Sequence, residues 1–176
     1  MTKQNKKTII LGIDPGIATT GWGVIRTEKN DVKLVNYGCI ITSSKTAFSE
    51  RLNLIHKKLK QIIKKHKPTK AAVEELFFAK NVKTALKVGE ARGVILLTAI
   101  QTNLMIEEFT PLQVKQALCA YGRAEKAQVQ KMVKLRLNLK DIPKPDDAAD
   151  ALAVAICCAQ TIPVSLRATV RCAKSE

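Results

Sequence analysis

The segment Ile9-Ile-Leu-Gly-Ile-Asp14-Pro-Gly16 is a short apolar run that ends in an acid, a proline and a glycine. Such a run predicts a strand that is buried on both faces, Thr8–Asp14, with a turn directly after it. An aspartate at the end of a buried strand is costly unless it has a function or caps the turn. A turn aspartate before Pro15 and Gly16 is therefore the structural alternative to a functional acid.

Two further strands follow after short links. They are Gly21–Thr27 and Val32–Thr42, and links this short favour an antiparallel meander with the first strand. Trp22 and Tyr37 on these strands are expected to point into the core. Beyond them helical and strand-like segments alternate, and strands joined through helices become parallel neighbours. The sequence therefore predicts an α/β fold with a mixed five-stranded sheet flanked by helices.

The remaining segments are assigned from apolar periodicity and from residues that start or stop helices. Ser49 is the predicted N-cap of a helix that Pro68 terminates. Thr110-Pro111 is predicted to start another helix, which runs through Cys119. The other predicted segments are two strands and three helices: Ala71–Leu76, Leu104–Phe109, Val82–Thr102, Ala124–Leu137 and Asp146–Thr161.

The composition indicates a polyanionic partner. The 176 residues include 30 Lys and Arg against 15 Asp and Glu, which gives a net charge of +15 and a pI of about 9.8. A small domain needs a net charge of only about 2–8 for solubility. The expected partner is therefore DNA, RNA or an anionic membrane surface, and nucleic acid is favoured. An apolar content of 46% excludes a fully disordered chain.

The cysteines and the organisation of the chain indicate the cellular compartment and the number of domains. Five cysteines lie scattered without the spacing of a zinc site, which suits reduced thiols in the cytosol. The sequence shows neither a signal peptide nor a transmembrane span, so a soluble, cytoplasmic protein with no membrane partner is expected. No linker divides the chain. Residues 1–163 are expected to form one domain, and residues 164–176 a basic, flexible tail.

Acidic residues stand at the ends of predicted strands and in the last predicted helix. Asp147 and Asp150 lie at i and i+3, so their side chains share a helix face. Asp14 and Glu74 stand near the ends of two strands, with Glu75 as the rival of Glu74. Grouped carboxylates would repel a polyanion unless metal cations lie between them, and Mg²⁺ takes carboxylate oxygens together with substrate phosphates. The sequence therefore favours metal-dependent chemistry on nucleic acid, provided that folding brings these acids together.

Several segments resemble, in the family's order, the motifs of the RuvC-type Holliday-junction resolvases. The resemblance extends from about Ile9 to Ala159, nearly the whole chain. The segments are Ile10-Leu-Gly-Ile-Asp-Pro-Gly with Thr20-Gly-Trp-Gly-Val-Ile, Val73-Glu-Glu-Leu-Phe-Phe-Ala-Lys-Asn, Ala85-Leu-Lys-Val-Gly-Glu-Ala-Arg-Gly, Pro111-Leu-Gln-Val-Lys-Gln, Ala124-Glu-Lys-Ala-Gln-Val-Gln and Asp147-Ala-Ala-Asp-Ala-Leu-Ala.

This resemblance implies a ribonuclease-H-like nuclease domain that acts as a homodimer on four-way DNA junctions during homologous recombination and DNA repair. Each protomer would nick one of two opposed strands and leave 5′-phosphate and 3′-hydroxyl ends. The implied cofactor is Mg²⁺, with about two ions per protomer and Mn²⁺ as a substitute. A branch-migration motor complex is the further implied partner. The long helix around Gly89 and Gly93 is the expected dimer face.

The resemblance also assigns individual residues. The catalytic and metal-binding quartet falls on Asp14, Glu74, Asp147 and Asp150. Lys115 and Lys126 match positions that contact DNA near the cut, and Lys126 would also steady charge on the phosphate.

Two further residues are candidates for contacts with DNA. Phe77 matches an aromatic residue that stacks on an unpaired base near the junction centre. Arg123, beside Gly122, is a candidate phosphate contact that the resemblance does not assign. Each basic or aromatic candidate also has an ordinary structural interpretation, as a surface cation or a core ring.

Three other functions stay open from the sequence. A non-catalytic junction-binding module would keep the charge but would not need the acidic quartet. An actin-like or sugar-kinase ATPase is faintly suggested by Asp14-Pro-Gly followed by Thr19-Thr20-Gly21, but such proteins usually need two related domains. A ribonuclease-H-like nuclease that processes RNA is the nearest rival, and cleavage assays on junction, duplex and RNA substrates separate it from a junction enzyme.

Overall fold

The computed structural model describes residues 7–28, 31–76 and 82–161. Within these residues five strands form one sheet, and five helices pack around it. The strands are β1 (Thr8–Asp14), β2 (Thr19–Glu28), β3 (Asp31–Ile41), β4 (Lys70–Glu74) and β5 (Met105–Phe109). The helices are α1 (Phe48–His66), α2 (Val82–Gln101), α3 (Pro111–Cys119), α4 (Lys126–Arg136) and α5 (Asp146–Gln160).

The sheet is mixed and has the strand order β3-β2-β1-β4-β5. Strands β1, β2 and β3 form an antiparallel meander, whereas β1, β4 and β5 run parallel because α1 and α2 connect them. The predicted mixed five-stranded sheet is therefore confirmed. Ile13 of β1 is the register partner of Val73 of β4, so both strands end at the same edge of the sheet.

A hydrophobic cluster lies on each face of the sheet. Helices α1 and α2 cover one face, where Leu11 and Ile55 are fully buried, and α3, α4 and α5 cover the other. Helix α5 is buried along most of its length, with Leu152 and Ile156 inaccessible to solvent. Burial of each such side chain contributes about 1.5–3 kcal/mol, so α5 is firmly held against the sheet. Among the described residues no helix is both long and apolar enough to cross a lipid bilayer.

Glycines in β1 and β2 let α5 approach the sheet more closely than side chains would allow. A Cβ added at Gly12 would lie 2.7 Å from the backbone nitrogen of Ala155. One added at Gly21 would overlap the backbone carbonyl of Asp147, in the first turn of α5. Gly21 is also the register partner of Asp14. The start of α5 is therefore fixed at the sheet edge where β1 ends.

One of the two predicted helix N-caps is confirmed and the other is wrong. Thr110 and Gln113 form the expected cap of α3, because Thr110 Oγ1 accepts from the backbone N–H of Gln113 at 3.2 Å and Gln113 Oε1 accepts in return at 2.8 Å. The prediction that Ser49 caps α1 is wrong. The first helical hydrogen bond runs from Arg51 N–H to the carbonyl of Ala47, so the helix already begins at Phe48 and Ser49 lies inside it.

Candidate active site

Strands β1 and β4 end side by side, and each ends in an acid. Because Ile13 and Val73 are register partners, Asp14 and Glu74 occupy neighbouring positions at the carboxyl ends of two parallel strands. Their carboxyl groups lie close enough for each to affect the pKa of the other, and both side chains are only partly exposed.

Helix α5 brings two more acids to the same place. Its first turn lies against Gly21 of β2, which pairs with Asp14. The negative charges of Asp147 and Asp150 both reach Asp14 and raise its pKa. The structure therefore assembles all four acids of the predicted quartet, from two strands and one helix.

Burial and mutual repulsion disfavour the ionised forms of these acids. Burial, followed by the charges of Glu74, Asp150 and Asp147, raises the pKa of Asp14 to about 8. Burial and the Asp150 charge raise the pKa of Glu74 to about 7. Burial also raises the pKa of Asp150, although the neighbouring Lys126 ammonium opposes the shift. The quartet therefore lacks enough positive charge around it to ionise fully near neutral pH.

Lys126 supplies part of that missing charge. It is the first residue of α4, and the start of this helix is fixed by a hydrogen bond from the backbone N–H of Glu125 to Gln128 Oε1 at 2.9 Å. The Lys126 ammonium lies 2.8 Å from an Asp150 carboxylate oxygen and 3.9 Å from one of Asp146. Its charge lowers the pKa of both strand acids, against the larger effect of burial.

A cavity of about 260 Å³ opens beside the acids. Its polar lining comes from Glu74, Asp150, Lys115 and Lys126, and its apolar lining from α3, α4 and α5. Lys115 is partly buried and lowers the pKa of Glu74. Two carboxylates and two ammonium groups thus line one solvent-accessible recess. Such a recess suits a negatively charged substrate that binds both to the ammonium groups and to metal ions held by the carboxylates.

The donor set fits a hard divalent cation in its chemistry. The acids offer carboxylate oxygens, the ligands that Mg²⁺ and similar ions take in proteins. In the described part of the chain, however, no three His, Cys, Asp or Glu side chains converge closely enough to enclose a cation by themselves. The two observations are compatible, because such ions keep waters and substrate phosphate oxygens as further ligands.

Some of the other residues predicted for the site lie near the four acids, and others do not. Glu74, rather than its rival Glu75, is the acid of β4 whose charge raises the pKa of Asp14. Arg123 is exposed in the turn between α3 and α4 and is not part of the cavity lining. Phe77 and the predicted tail at 164–176 lie outside the described residues.

Two features of the site were missed from the sequence. The ion pair between Lys126 and Asp150 joins segments far apart along the chain, and no local pattern reports it. The close approach of α5 rests on Gly12 and Gly21, and a glycine inside an otherwise strand-like segment is a usable signal for such an approach.

Known proteins are similar to this chain in sequence and in fold. A family model described as "Crossover junction endodeoxyribonuclease RuvC" matches residues 10–158. The chain is 56% identical over 149 residues to the crossover junction endodeoxyribonuclease RuvC of Halothermothrix orenii, which covers 85% of this chain and 90% of that protein.

Solved structures agree with the sequence matches. The structure of Thermus thermophilus RuvC is 37% identical, with a TM-score of 0.80 over 86% of this chain and 93% of that one. The structure of T. thermophilus RuvC in complex with a Holliday junction substrate is 36% identical, with a TM-score of 0.79 over 86% and 92% of the two chains. The family resemblance and the ribonuclease-H-like fold that it implied are confirmed. The chain belongs to the RuvC family of crossover junction endodeoxyribonucleases.

Proposed function

We propose that this protein is a metal-dependent endonuclease that resolves four-way DNA junctions by paired nicks in opposed strands, during homologous recombination and DNA repair. The observation that carries the proposal is the assembly of Asp14, Glu74, Asp147 and Asp150 beside Lys126, in a chain of the RuvC family. A non-catalytic junction-binding module would have no need to gather four mutually repelling carboxylates.

The charge of the chain supports DNA as the substrate. A net charge of +15 favours a polyanion, and the T. thermophilus relative is solved with a Holliday junction substrate. Lys115 lies on the cavity wall close to Glu74, where an ammonium group would bind a backbone phosphate. Phe77 as a stacking residue and Arg123 as a phosphate contact belong to the same proposal and rest on the sequence alone.

The four acids are the proposed ligands of the divalent cation, taken to be Mg²⁺ with about two ions in each protomer and Mn²⁺ as a substitute. When bound, such ions activate water and stabilise the leaving oxygen of a phosphodiester. The acids would hold the ions, with Asp14 in a partly buried position. With Asp150 bound to metal, Lys126, which lies 2.8 Å from it in this structure, would pair with a non-bridging phosphate oxygen. Hydrolysis with the 3′ oxygen as leaving group gives 5′-phosphate and 3′-hydroxyl ends.

Cleavage of a synthetic four-way junction tests this proposal. The parent protein is expected to nick two opposed strands with Mg²⁺ and none without it. Asp14→Asn is expected to lose at least about 10²-fold in the single-turnover rate while it still binds the junction. Asp141→Asn, at an exposed loop aspartate, is the matched control and keeps its activity. Full nicking by Asp14→Asn would refute the role of Asp14, and binding without any nicking by the parent would favour the non-catalytic module.

Paired nicks require two sites, and α2 offers a surface for a two-fold dimer. Leu86, Leu97 and Ile100 share one face of this helix and are 64%, 54% and 62% exposed. Gly93 lies on the same face, and a Cβ added there would meet nothing within 4 Å. Since no described part of the chain packs on this apolar stripe, we assign it to the second protomer.

Leu97→Glu tests the dimer surface. The variant is expected to elute as a monomer when its mass is measured by light scattering, because a carboxylate would be buried at the interface. Leu135→Glu, at a residue of α4 that is 69% exposed, is the control and stays dimeric. A dimeric Leu97→Glu protein would exclude this face.

The branch-migration motor complex remains a proposed partner that only the family resemblance supports. Co-purification of the motor with the junction-bound protein, compared with junction alone, is the direct measurement.

A further inference from the structure

An open cleft of about 370 Å³ lies on the face of the sheet opposite α5, between the edge strand β3 and the second half of α1. Its floor is apolar and aromatic, with Trp22, Ile40 and Ile62. Its outer wall is basic, with Lys58 and Lys65. None of the four acids of the active site lines this cleft.

The aromatic floor depends on a glycine. Trp22 packs against the hydrophobic cluster beneath α1 and α2, as expected of a core residue, but it is only partly buried and also lines the cleft. Trp22 and Gly38 are register partners on β2 and β3. A Cβ at Gly38 would lie 3.0 Å from Trp22 Cζ2, so the missing side chain lets the indole lie across β3. The His66 ring adjoins it, with the ring centroids 5.9 Å apart.

The wall of the cleft belongs to a strongly basic helix. Helix α1 contains five lysines and Arg51 against the single acid Glu50. Lys58 and Lys65 are seven positions apart and therefore lie on one face of the helix, and both line the cleft together with Trp22. Lys60 and Lys64 are exposed on another face and do not line the cleft.

The cleft lies at the same end of the sheet as the active site. Asp14 pairs with Gly21, and Gly21 pairs with Cys39 of β3, next to Ile40 in the cleft. Neighbouring strands are about 4.8 Å apart, so the β3 edge is about 10 Å from Asp14 across the sheet. A DNA strand that leaves the active site needs only to pass around this edge to reach the cleft.

We propose that this cleft binds an unstacked nucleotide of a DNA strand outside the active site, with the base on Trp22 and the flanking phosphates on Lys58 and Lys65. The proposal rests on the proposed function, because it assumes that DNA is the substrate. A flat aromatic floor beside paired ammonium groups matches the two chemical faces of a nucleotide, a π-surface and an anion. An acidic peptide would satisfy the lysines but would leave the indole without a stacking partner.

Trp22 is the single tryptophan of the chain, so its fluorescence reports on the cleft directly. The full-length protein is titrated, without divalent cations, with a single-stranded oligothymidylate of about eight nucleotides. Saturable quenching is expected with the oligonucleotide. Inorganic polyphosphate and poly-glutamate of equal charge carry no bases and are expected to leave the emission unquenched. Absence of quenching by the oligonucleotide, or equal quenching by either polyanion, would overturn the proposal.

A matched pair of double variants separates the cleft from general electrostatics. Lys58→Glu with Lys65→Glu is expected to weaken oligonucleotide binding at least about tenfold, whereas Lys60→Glu with Lys64→Glu makes the same charge change and stays within about threefold. Thermal unfolding confirms that both variants are folded. Equal losses of affinity in the two variants would show that the lysines of α1 bind DNA only as a diffuse basic surface and would overturn the proposal.

The catalytic variant Asp14→Asn keeps this test independent of the nuclease assignment. It is expected to retain quenching of Trp22 while it loses nicking. A protein that nicks junctions without quenching refutes the cleft alone, and one that quenches without nicking refutes the nuclease function alone.

Discussion

The Asp150 carboxylate, a proposed metal ligand, lies 2.8 Å from the Lys126 ammonium group. This contact explains how four acids tolerate one another in the metal-free protein. Lys126 is 55% exposed, and an ion pair of that exposure is weak and easily exchanged. Lys126 would therefore give up Asp150 at little cost if that carboxylate bound a metal ion, and its ammonium group would then be available to a substrate phosphate.

Replacement of Lys126 by Gln is expected to reduce the single-turnover cleavage rate by about 10²-fold. The Lys126 charge lowers the pKa of Asp14 and Glu74, so its loss raises both values. The acid limb of the pH–rate profile should therefore shift to higher pH. Lys131→Gln, on the exposed side of the same helix, is the control. An unshifted profile in Lys126→Gln would contradict this electrostatic role.

The raised pKa of Asp14 predicts how stability depends on pH. The value moves from 3.8 to about 8 on folding without metal, so the folded state binds the proton more tightly. This contribution to stability is complete below pH 3.8 and is lost as the pH rises through 8. Asp14→Asn should remove most of that loss and stabilise the metal-free protein at pH 8 by about 1–3 kcal/mol.

Urea unfolding in the presence of a chelator, at pH 5 and pH 8, measures this effect. Mg²⁺ should stabilise the parent protein at pH 8 and have little effect on the variant. A variant that is less stable than the parent at pH 8 would show that the Asp14 carboxylate is not strained by its surroundings.

At the level of elements, the position of α5 decides whether the four acids of the proposed active site lie together. Its first turn carries Asp147 and rests on the bare backbone of Gly21. Helix α5 and β1 therefore behave as one unit, since any change in their spacing moves the helix acids away from Asp14.

Gly21→Ala tests this spacing. The added Cβ collides with backbone atoms of Asp147, which cannot rotate away, so α5 must shift. We expect a loss of about 1–3 kcal/mol in the free energy of unfolding and a fall in cleavage larger than the fall in junction binding. In Gly122→Ala the new Cβ meets only side-chain atoms of Leu112 and Gln116, and this control should keep its activity. Parallel losses of binding and cleavage in Gly21→Ala would indicate general unfolding instead.

Secondary structure was predictable where one physical signal dominated. Apolar runs gave every strand of the described sheet to within a few residues, and Thr110 with Pro111 marked the start of α3. Ser49 was assigned as the N-cap because serine generally favours that position. The helix instead begins at Phe48, directly after the preceding turn, and Ala47 is its N-cap. Trp22 packs against the core as predicted, but its access to the cleft depends on its pairing with Gly38, which the sequence alone did not show. The quartet was identified through the family motifs, since spacing alone gave no reason for strand acids and helix acids to meet.

For the whole molecule, the surplus of positive charge sets how it meets DNA. Junction affinity should fall steeply with salt, with log Kd rising against log salt with a slope of about 6–10. Fluorescence anisotropy of a labelled junction at several salt concentrations measures this slope. The Lys58→Glu and Lys65→Glu variant should lower the slope by about 2 if both lysines contact phosphates. A slope near zero would mean that the charge has no part in DNA binding.

Because the proposed active site joins β1 to α5, it cannot form until both of these elements have been synthesised. A nascent chain that has released β1 and β4 but not yet α5 carries Asp14 and Glu74 without Asp147 and Asp150. The proposed nuclease activity therefore cannot begin before α5 has been made.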